Sequence, residues 1–248
     1  RLGKHAQGTM AYTTSPVHNL KTWMVLARKI EDAGADSIAI KDMAGLLKPY
    51  DAFDLVSNLK EQLSIPVHMQ THATTGMSTA TNMKAIEAGI DNIDTSISSM
   101  SMTYGHSATE TLAAIFQEEA VSIDLDLEAL EEISFFFKKI RKKYSEYEGD
   151  MKGVDSTMLV KQVPGGMLSN LESQLKANKQ EDKIDLVKEE IPKVRRDFGH
   201  PPLVTPVSQI IGAQALLNIM GNVRYGNLSN ESKNLLLGKY GKLPGEVN

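Results

Sequence analysis

Two stretches, "IEDAGADSIAIKD" at residues 30–42 and "AIEAGIDNIDTSI" at residues 85–97, decide the fold. Each closes an amphipathic run with Ala-Gly, places Asp two residues after the glycine, and opens an isoleucine-rich run. A repeat of this kind marks a recurring supersecondary unit. Gly34 and Gly89 fit the position just past a helix C-terminus, where a left-handed backbone is needed. The runs that follow fit short parallel strands. Working outward, "GTMAYTTSP" (8–16), "DSIAIKD" (36–42), "PVHMQTH" (66–72) and "DNIDTSIS" (91–98) read as strands, with helices over 18–33, 49–63 and 78–88 between them. Strands alternating with helices give right-handed crossovers and a parallel sheet, with chemistry collected at the strands' carboxyl ends.

Polar residues stand at all four of those ends: Tyr12, Thr13 and Thr14; Lys41 and Asp42; His68, Gln70, His72, Thr74 and Thr75; and Asp94, Thr95 and Ser98. The period of two along "PVHMQTH" puts His68, Gln70 and His72 on one face and Val67, Met69 and Thr71 on the other. One face could therefore hold a metal. Each candidate has a plainer reading as well. A strand-end lysine is commonly solvated or salt-bridged, His68 reads as a hydrogen-bonded structural histidine, and threonine-rich turns cap helices. His72, at the strand's end and beside a lysine-bearing strand, reads more readily as a ligand.

Composition bounds the remaining possibilities. The 248 residues are 41% hydrophobic and 23% charged, enough for one large domain or two smaller ones. A net charge of -4 gives no reason to expect nucleic-acid binding, and no apolar run is long enough to span a bilayer. The absence of cysteine excludes disulfides, a thiolate nucleophile and cysteine-ligated metal. The expected location is the cytoplasm. Because the chain starts at Arg1, it is expected to be a piece of something longer.

Beyond residue 120 the pattern becomes helical, over 125–147, 166–179, 182–198 and 208–220. This predicts two regions, residues 1–118 and residues 119–248. The run "KKIRKKYSEYE" (138–148) reads as a solvated helix face. Two segments read as loops: "VKQVPGGMLSNL" (160–171), whose Pro164, Gly165 and Gly166 allow close backbone approach, and "PPLVTPVSQIIG" (201–212), with Thr205 and Ser208 as candidate helix N-caps.

Taken together, "GTMAYTTSPVHNL", "IAIKDMAGLLKPYDAFDLV", "PVHMQTHATTGMS", "AIEAGIDNIDTSISSMS", "VPGGMLSNLESQL" and "PPLVTPVSQIIGAQA" span essentially the whole chain. The sequence resembles the carboxyltransferase domain of biotin-dependent enzymes acting on pyruvate and oxaloacetate. Within that group it is most similar to the oxaloacetate decarboxylase alpha subunit and the transcarboxylase carboxyltransferase subunit, with pyruvate carboxylase more distant. The resemblance implies a TIM (β/α)8 barrel, of which this chain would carry the last four strands, followed by a mostly α-helical C-terminal domain.

It also implies a site. Lys41 matches a lysine that CO2 converts to a carbamate, an oxygen ligand for a divalent metal (zinc, cobalt, manganese or nickel). His72 matches the second histidine of a His-x-His ligand pair. Thr205 matches a threonine that shuttles a proton between biotin and pyruvate, Ser208 matches a biotin-proximal serine, and Gln209 stands where pyruvate carboxylases tend to have lysine. Biotin would arrive on a separate carrier domain or subunit. Further implied partners are the N-terminal half of the barrel, a second copy in a homodimer, and membrane decarboxylase subunits through which the protein would associate with a membrane.

Two departures qualify this. Position 70, where the family has its first ligand histidine, is glutamine, a weaker donor for these metals than imidazole. The first-strand Arg-Asp motif that would supply an aspartate ligand and a substrate-gripping arginine is absent. Two other readings are a different metal-dependent barrel, such as an isopropylmalate synthase, which lacks the "PGG" and "VTPVSQ" segments, and a catalytically impaired scaffold.

Overall fold

Four parallel strands lie in sequence order, β1 (Gln7–Ala11), β2 (Ser37–Asp42), β3 (Val67–Thr71) and β4 (Asn92–Ile93), separated by helices α1 (Leu20–Asp32), α2 (Pro49–Gln62) and α3 (Ser78–Glu87). The structure is a computed structural model and describes residues 3–117, 124–148, 153–163, 165–177 and 179–248. The expected α/β alternation, the parallel sheet and the helical C-terminal region are all present. Gly34 and Gly89 both have φ +84°, the left-handed conformation expected after α1 and α3.

Alternation along the strands sorts side chains to two faces. Met10, Ile38, Ile40, Val67 and Met69 pack with Trp23, Met24 and Ala27 of α1, with Leu55, Val56 and Leu59 of α2, and with Ala85 of α3. Burying such large aliphatic side chains contributes roughly 1.5–3 kcal/mol each, so this layer fixes the strand register. The opposite face carries Lys41, His68, Gln70 and His72, all partly exposed.

β4 is much shorter than the expected 91–98. Asp94 N still donates to Met69 O at 2.8 Å, but Ser96 N then donates to Ser107 O at 3.0 Å and Thr109 N to Ser96 O at 2.9 Å. The backbone pairs with its own returning loop and abandons β3. Next come a 3-10 turn at Ser98–Met100 and two helices, α4 (Thr109–Phe116) and α5 (Leu127–Lys143). Asp126 caps α5 by accepting from Glu128 N and Ala129 N. None of the residues of α5 is buried, and Phe135 and Phe136 are exposed beside its basic residues, in keeping with a solvated helix.

The C-terminal region holds α6 (Thr157–Lys161), α7 (Gly165–Ala177), α8 (Ile184–Asp197), α9 (Val207–Met220) and α10 (Asn230–Leu236). Its core follows helical spacing: Met167, Leu171 and Leu175 on α7, Val187, Ile191 and Val194 on α8, and Ile210, Ile211 and Ala215 on α9. Gly165 and Gly166 open α7, which corrects the reading of that stretch as loop; Pro164 lies outside the described residues. Neither Thr205 nor Ser208 caps α9: its N-cap is Pro206, without a side-chain hydrogen bond, because Ser208 already lies inside the first turn and its N–H donates to Val204 O.

Contacts divide the chain into two compact units: Arg1–Tyr12 with Leu20–Ser156, and Thr13–Asn19 with Thr157–Asn248. Packing therefore groups α5 with the sheet and assigns the segment after β1 to the helical unit, a division that does not follow the sequence position 118/119. Among the described residues, no helix is long and apolar enough to cross a membrane.

Candidate active site

Register builds the candidate metal site. Lys41 on β2 pairs with Gln70 on β3, and His72 follows Gln70 by one strand period. Among the described residues, neither the Lys41 ammonium nor the Gln70 amide makes a hydrogen bond or ion pair. The reason "IKD" ends a strand lies in its alternation. Lys41 takes the polar face, while Asp42, fully buried, turns to the other and accepts from Leu46 N at 2.9 Å, Leu47 N at 2.8 Å and Thr71 Oγ1 at 3.0 Å. Burial holds the Asp42 carboxyl above the usual carboxylate range, outweighing the hydrogen bonds from Leu47, Leu46 and Thr71. This carboxylate fixes the turn that leads from Lys41 into α2.

The same turn touches His72. Gly45 has φ +67°, and a Cβ there would sit 2.7 Å from His72 O, so only glycine lets the turn approach the end of β3 this closely. Thr75 Oγ1 adds a hydrogen bond to Gly45 O. His72 Nδ1 donates to Tyr104 O at 2.5 Å. Burial, together with the nearby His106 and Lys41 charges, holds the imidazole below its usual pKa despite the Tyr104 bond.

His68 is the structural histidine that its position suggested. Its Nε2 meets Asp94 Oδ1 at 2.7 Å and its Nδ1 meets Gln7 Nε2 at 3.3 Å, leaving neither nitrogen for a ligand. Tyr12, expected among the polar ends, stacks on Trp23 with centroids 5.4 Å apart, and burial raises its hydroxyl pKa. His106 was missed by sequence reasoning. Its ring lies 4.8 Å from that of His72.

In the helical unit, Thr205 is exposed, Ser208 is 4% exposed, and Gln209 lines a cavity of about 290 Å³ with Met167, Asn170, Gln174 and Gly212. Arg195 was also missed. Buried at 6% exposure, it donates from Nε to Pro201 O at 3.0 Å, from Nη1 to Gln162 Oε1 at 2.6 Å, and from Nη2 to Thr13 Oγ1 at 2.8 Å and Thr14 O at 3.1 Å. All four acceptors are neutral, and burial lowers its pKa to about 10. It ties the segment after β1 to the loop that leads to Thr205.

With this geometry established, the relatives can be placed. A family model described as HMGL-like matches residues 5–136, more than half the chain. The chain belongs to that family. A second model, described as a conserved carboxylase domain, matches residues 158–248. The sequence is similar to a pyruvate carboxylase subunit of Methanocaldococcus jannaschii, 46% identical over 100% of this chain and 44% of that protein. It is equally similar to the methylmalonyl-CoA carboxyltransferase 5S subunit of Propionibacterium freudenreichii, 46% identical over 99% of this chain and 49% of that one. Among solved structures, the carboxyl transferase domain of Rhizobium etli pyruvate carboxylase with pyruvate superposes with a TM-score of 0.91 at 30% identity, over 97% of this chain and 43% of that one. The family resemblance carried by the motifs is thus shown, and the sheet is part of a TIM-type carboxyltransferase architecture. The chain spans about half the length of the curated relatives it matches.

Proposed function

We propose that this chain forms part of an enzyme transferring a carboxyl group between carboxybiotin and pyruvate or oxaloacetate, of the oxaloacetate decarboxylase or transcarboxylase type. The alternative is the carboxyltransferase subunit of a pyruvate carboxylase. The observation that carries the reading is the register of Lys41 with Gln70, one strand period before His72, with no hydrogen bond or ion pair on Lys41 among the described residues. An unpaired amine on a polar face is open to carbamylation. Lys41 as carbamate, His72 through Nε2 and Gln70 through its carbonyl oxygen would then hold a divalent ion. Among the described residues no group of three His, Asp or Glu side chains could hold a metal, and a carbamate on Lys41 would add an oxygen donor to His72 and Gln70.

Such an ion, zinc, cobalt, manganese or nickel, would polarise the keto acid. The chain's own residues supply the proton path. The exposed Thr205 hydroxyl can accept a proton from the pyruvate methyl group while donating its own to the ureido nitrogen, so no charge rests on it. In the balanced step the N–C bond of carboxybiotin breaks to release CO2, and the freed ureido nitrogen takes the Thr205 proton while Thr205 takes one from the pyruvate methyl group. The resulting enolate carbon bonds to that CO2 to give oxaloacetate, and decarboxylation retraces these steps. Ser208, buried at the start of α9, and Gln209, exposed beside it, would be the biotin-proximal residues of the helical unit.

Further parts of the proposal are a biotin carrier domain or subunit, the remainder of the barrel, a homodimeric state and a cytoplasmic location, with membrane attachment only through decarboxylase subunits. Gln70 favours one competing reading, an impaired scaffold. The test is pyruvate–oxaloacetate carboxyl exchange by the intact protein with a biotinylated carrier. Thr205→Ala is expected to lower the rate by roughly 10²-fold or more with metal content unchanged. A drop of only a few-fold would remove Thr205 from the proton path, and no exchange by the wild type would favour the scaffold.

A further inference from the structure

The loop after β4 brings an additional imidazole to the end of β3. Two non-glycine residues, Met102 at φ 64° and Thr103 at φ 52°, turn the chain back, and Gly105 N closes the turn on Met102 O at 2.8 Å. Three hydrogen bonds join this loop to β3 and its end: Ala73 N to Gly105 O at 2.8 Å, His72 Nδ1 to Tyr104 O at 2.5 Å, and His106 Nδ1 to Thr71 O at 3.1 Å. We propose that His106 supplies the imidazole ligand that position 70 lacks, so that His72 and His106 bind the divalent ion as a pair beside Lys41. This rests on the metal reading given under Proposed function.

Tautomers point the same way. A backbone carbonyl can only accept, so the hydrogen bonds to Tyr104 O and Thr71 O place a proton on Nδ1 of both rings. In the neutral imidazole the lone pair is then on Nε2, the form in which a histidine ligates through Nε2 while a backbone carbonyl orients it from behind. Among the described residues neither Nε2 has a hydrogen bond. His68 provides the contrast: both its nitrogens are engaged, by Gln7 and Asp94, and it is unavailable.

Spacing provides a separate check. Two imidazoles bound through Nε2 to one ion at about 2.0–2.1 Å would have ring centroids roughly 4.5 Å apart at a right angle and roughly 5.2 Å apart at the tetrahedral angle. The His72 and His106 centroids are 4.8 Å apart, with planes at 51°. Two rings at this distance fit adjacent positions on one ion. Gln70 would then contribute at most an amide oxygen, the softer nitrogen donors coming from β3 and the loop.

The experiment is metal binding by the intact protein in the presence of bicarbonate, with cobalt(II) as probe, followed by metal analysis and titration. His106→Ala is expected to weaken cobalt binding at least about 100-fold, and adding Gln70→His to that variant is expected to restore it, with thermal melting used to confirm folding. Copper(II) paramagnetic resonance is expected to show one fewer coordinated nitrogen in His106→Ala. If His106→Ala binds like the wild type while His72→Ala does not, the proposal falls and the metal reading stands. If His106→Ala loses metal and Gln70→His fails to rescue it, His106 only buttresses His72 and the proposal also falls. If the wild type binds no cobalt, the underlying metal reading fails.

Discussion

Asp42 and Thr71 are register partners on adjacent strands, and the Thr71 hydroxyl donates to Asp42 Oδ2 at 3.0 Å. Two backbone N–H groups of the β2–α2 turn share the same carboxylate. Asp42→Ala would leave three buried donors unsatisfied and is expected to cost about 2–4 kcal/mol in urea unfolding. Asp42→Asn keeps one acceptor oxygen and should cost clearly less. Equal losses for the two variants would show that the carboxylate's second oxygen does not hold the turn.

Arg195 serves its four neutral acceptors from one rigid planar group. Lysine has neither the reach nor the fork geometry to meet them all. Arg195→Ala and Arg195→Lys are therefore both expected to destabilise, by about 2–4 kcal/mol and by at least half of that respectively. Full stability of the lysine variant in urea unfolding would mean that charge alone suffices.

His18 provides the pH dependence. Burial, reinforced by the Arg195 and His200 charges, lowers its pKa to about 4. Above about pH 6.5 the imidazole is neutral in both folded and unfolded chains, and its contribution is constant. As pH falls from about 6.5 to about 4, the unfolded chain takes up a proton that the folded protein refuses, so stability drops, by up to about 3 kcal/mol. Urea midpoints at pH 7.5, 6 and 5 should fall more steeply for the wild type than for His18→Asn. Parallel curves would exclude His18 as a source of that slope.

Gly45 and Gly89 separate two effects of alanine. Both have positive φ, but a Cβ at Gly89 meets nothing within 4 Å, whereas one at Gly45 lies 2.7 Å from His72 O. Gly89→Ala should cost only the left-handed backbone penalty, about 1–2 kcal/mol. For Gly45→Ala roughly another 1–3 kcal/mol of overpacking is expected. Identical unfolding midpoints for the two variants would show that the turn yields without strain.

Much of the sheet was legible because burial imposes periodicity. Ile38, Ile40, Val67 and Met69 must all meet the helices, and that requirement also fixes which residues of β2 and β3 reach the polar face. Lys41, Gln70 and His72 could thus be grouped before any coordinates. The short helices α4, α6 and α10 escaped because five to eight residues give too few turns for a period to emerge. His106 escaped for a different reason. It lies in a loop, where no period links sequence position to direction, and only the turn at Met102 and Thr103 brings it to His72. Arg195 read as one more charge on an amphipathic helix, since its partners Thr13 and Thr14 are some 180 positions away.

That distance also has a biosynthetic side. Thr13 emerges from the ribosome 182 residues before Arg195, an interval of roughly 10–35 s at ordinary elongation rates. β1 can pair with β2 almost at once, since Gln7 and Ser37 are only one helix apart in the chain. The seven residues 13–19 must instead wait for a helix not yet translated. Their composition suits the delay: "TTSPVHN" has a single aliphatic side chain, a proline and three hydroxyl groups, so it offers little to sticky encounters while nascent. Closure of the segment onto Arg195 is then a late event in maturation, reporting that the helical unit has been made.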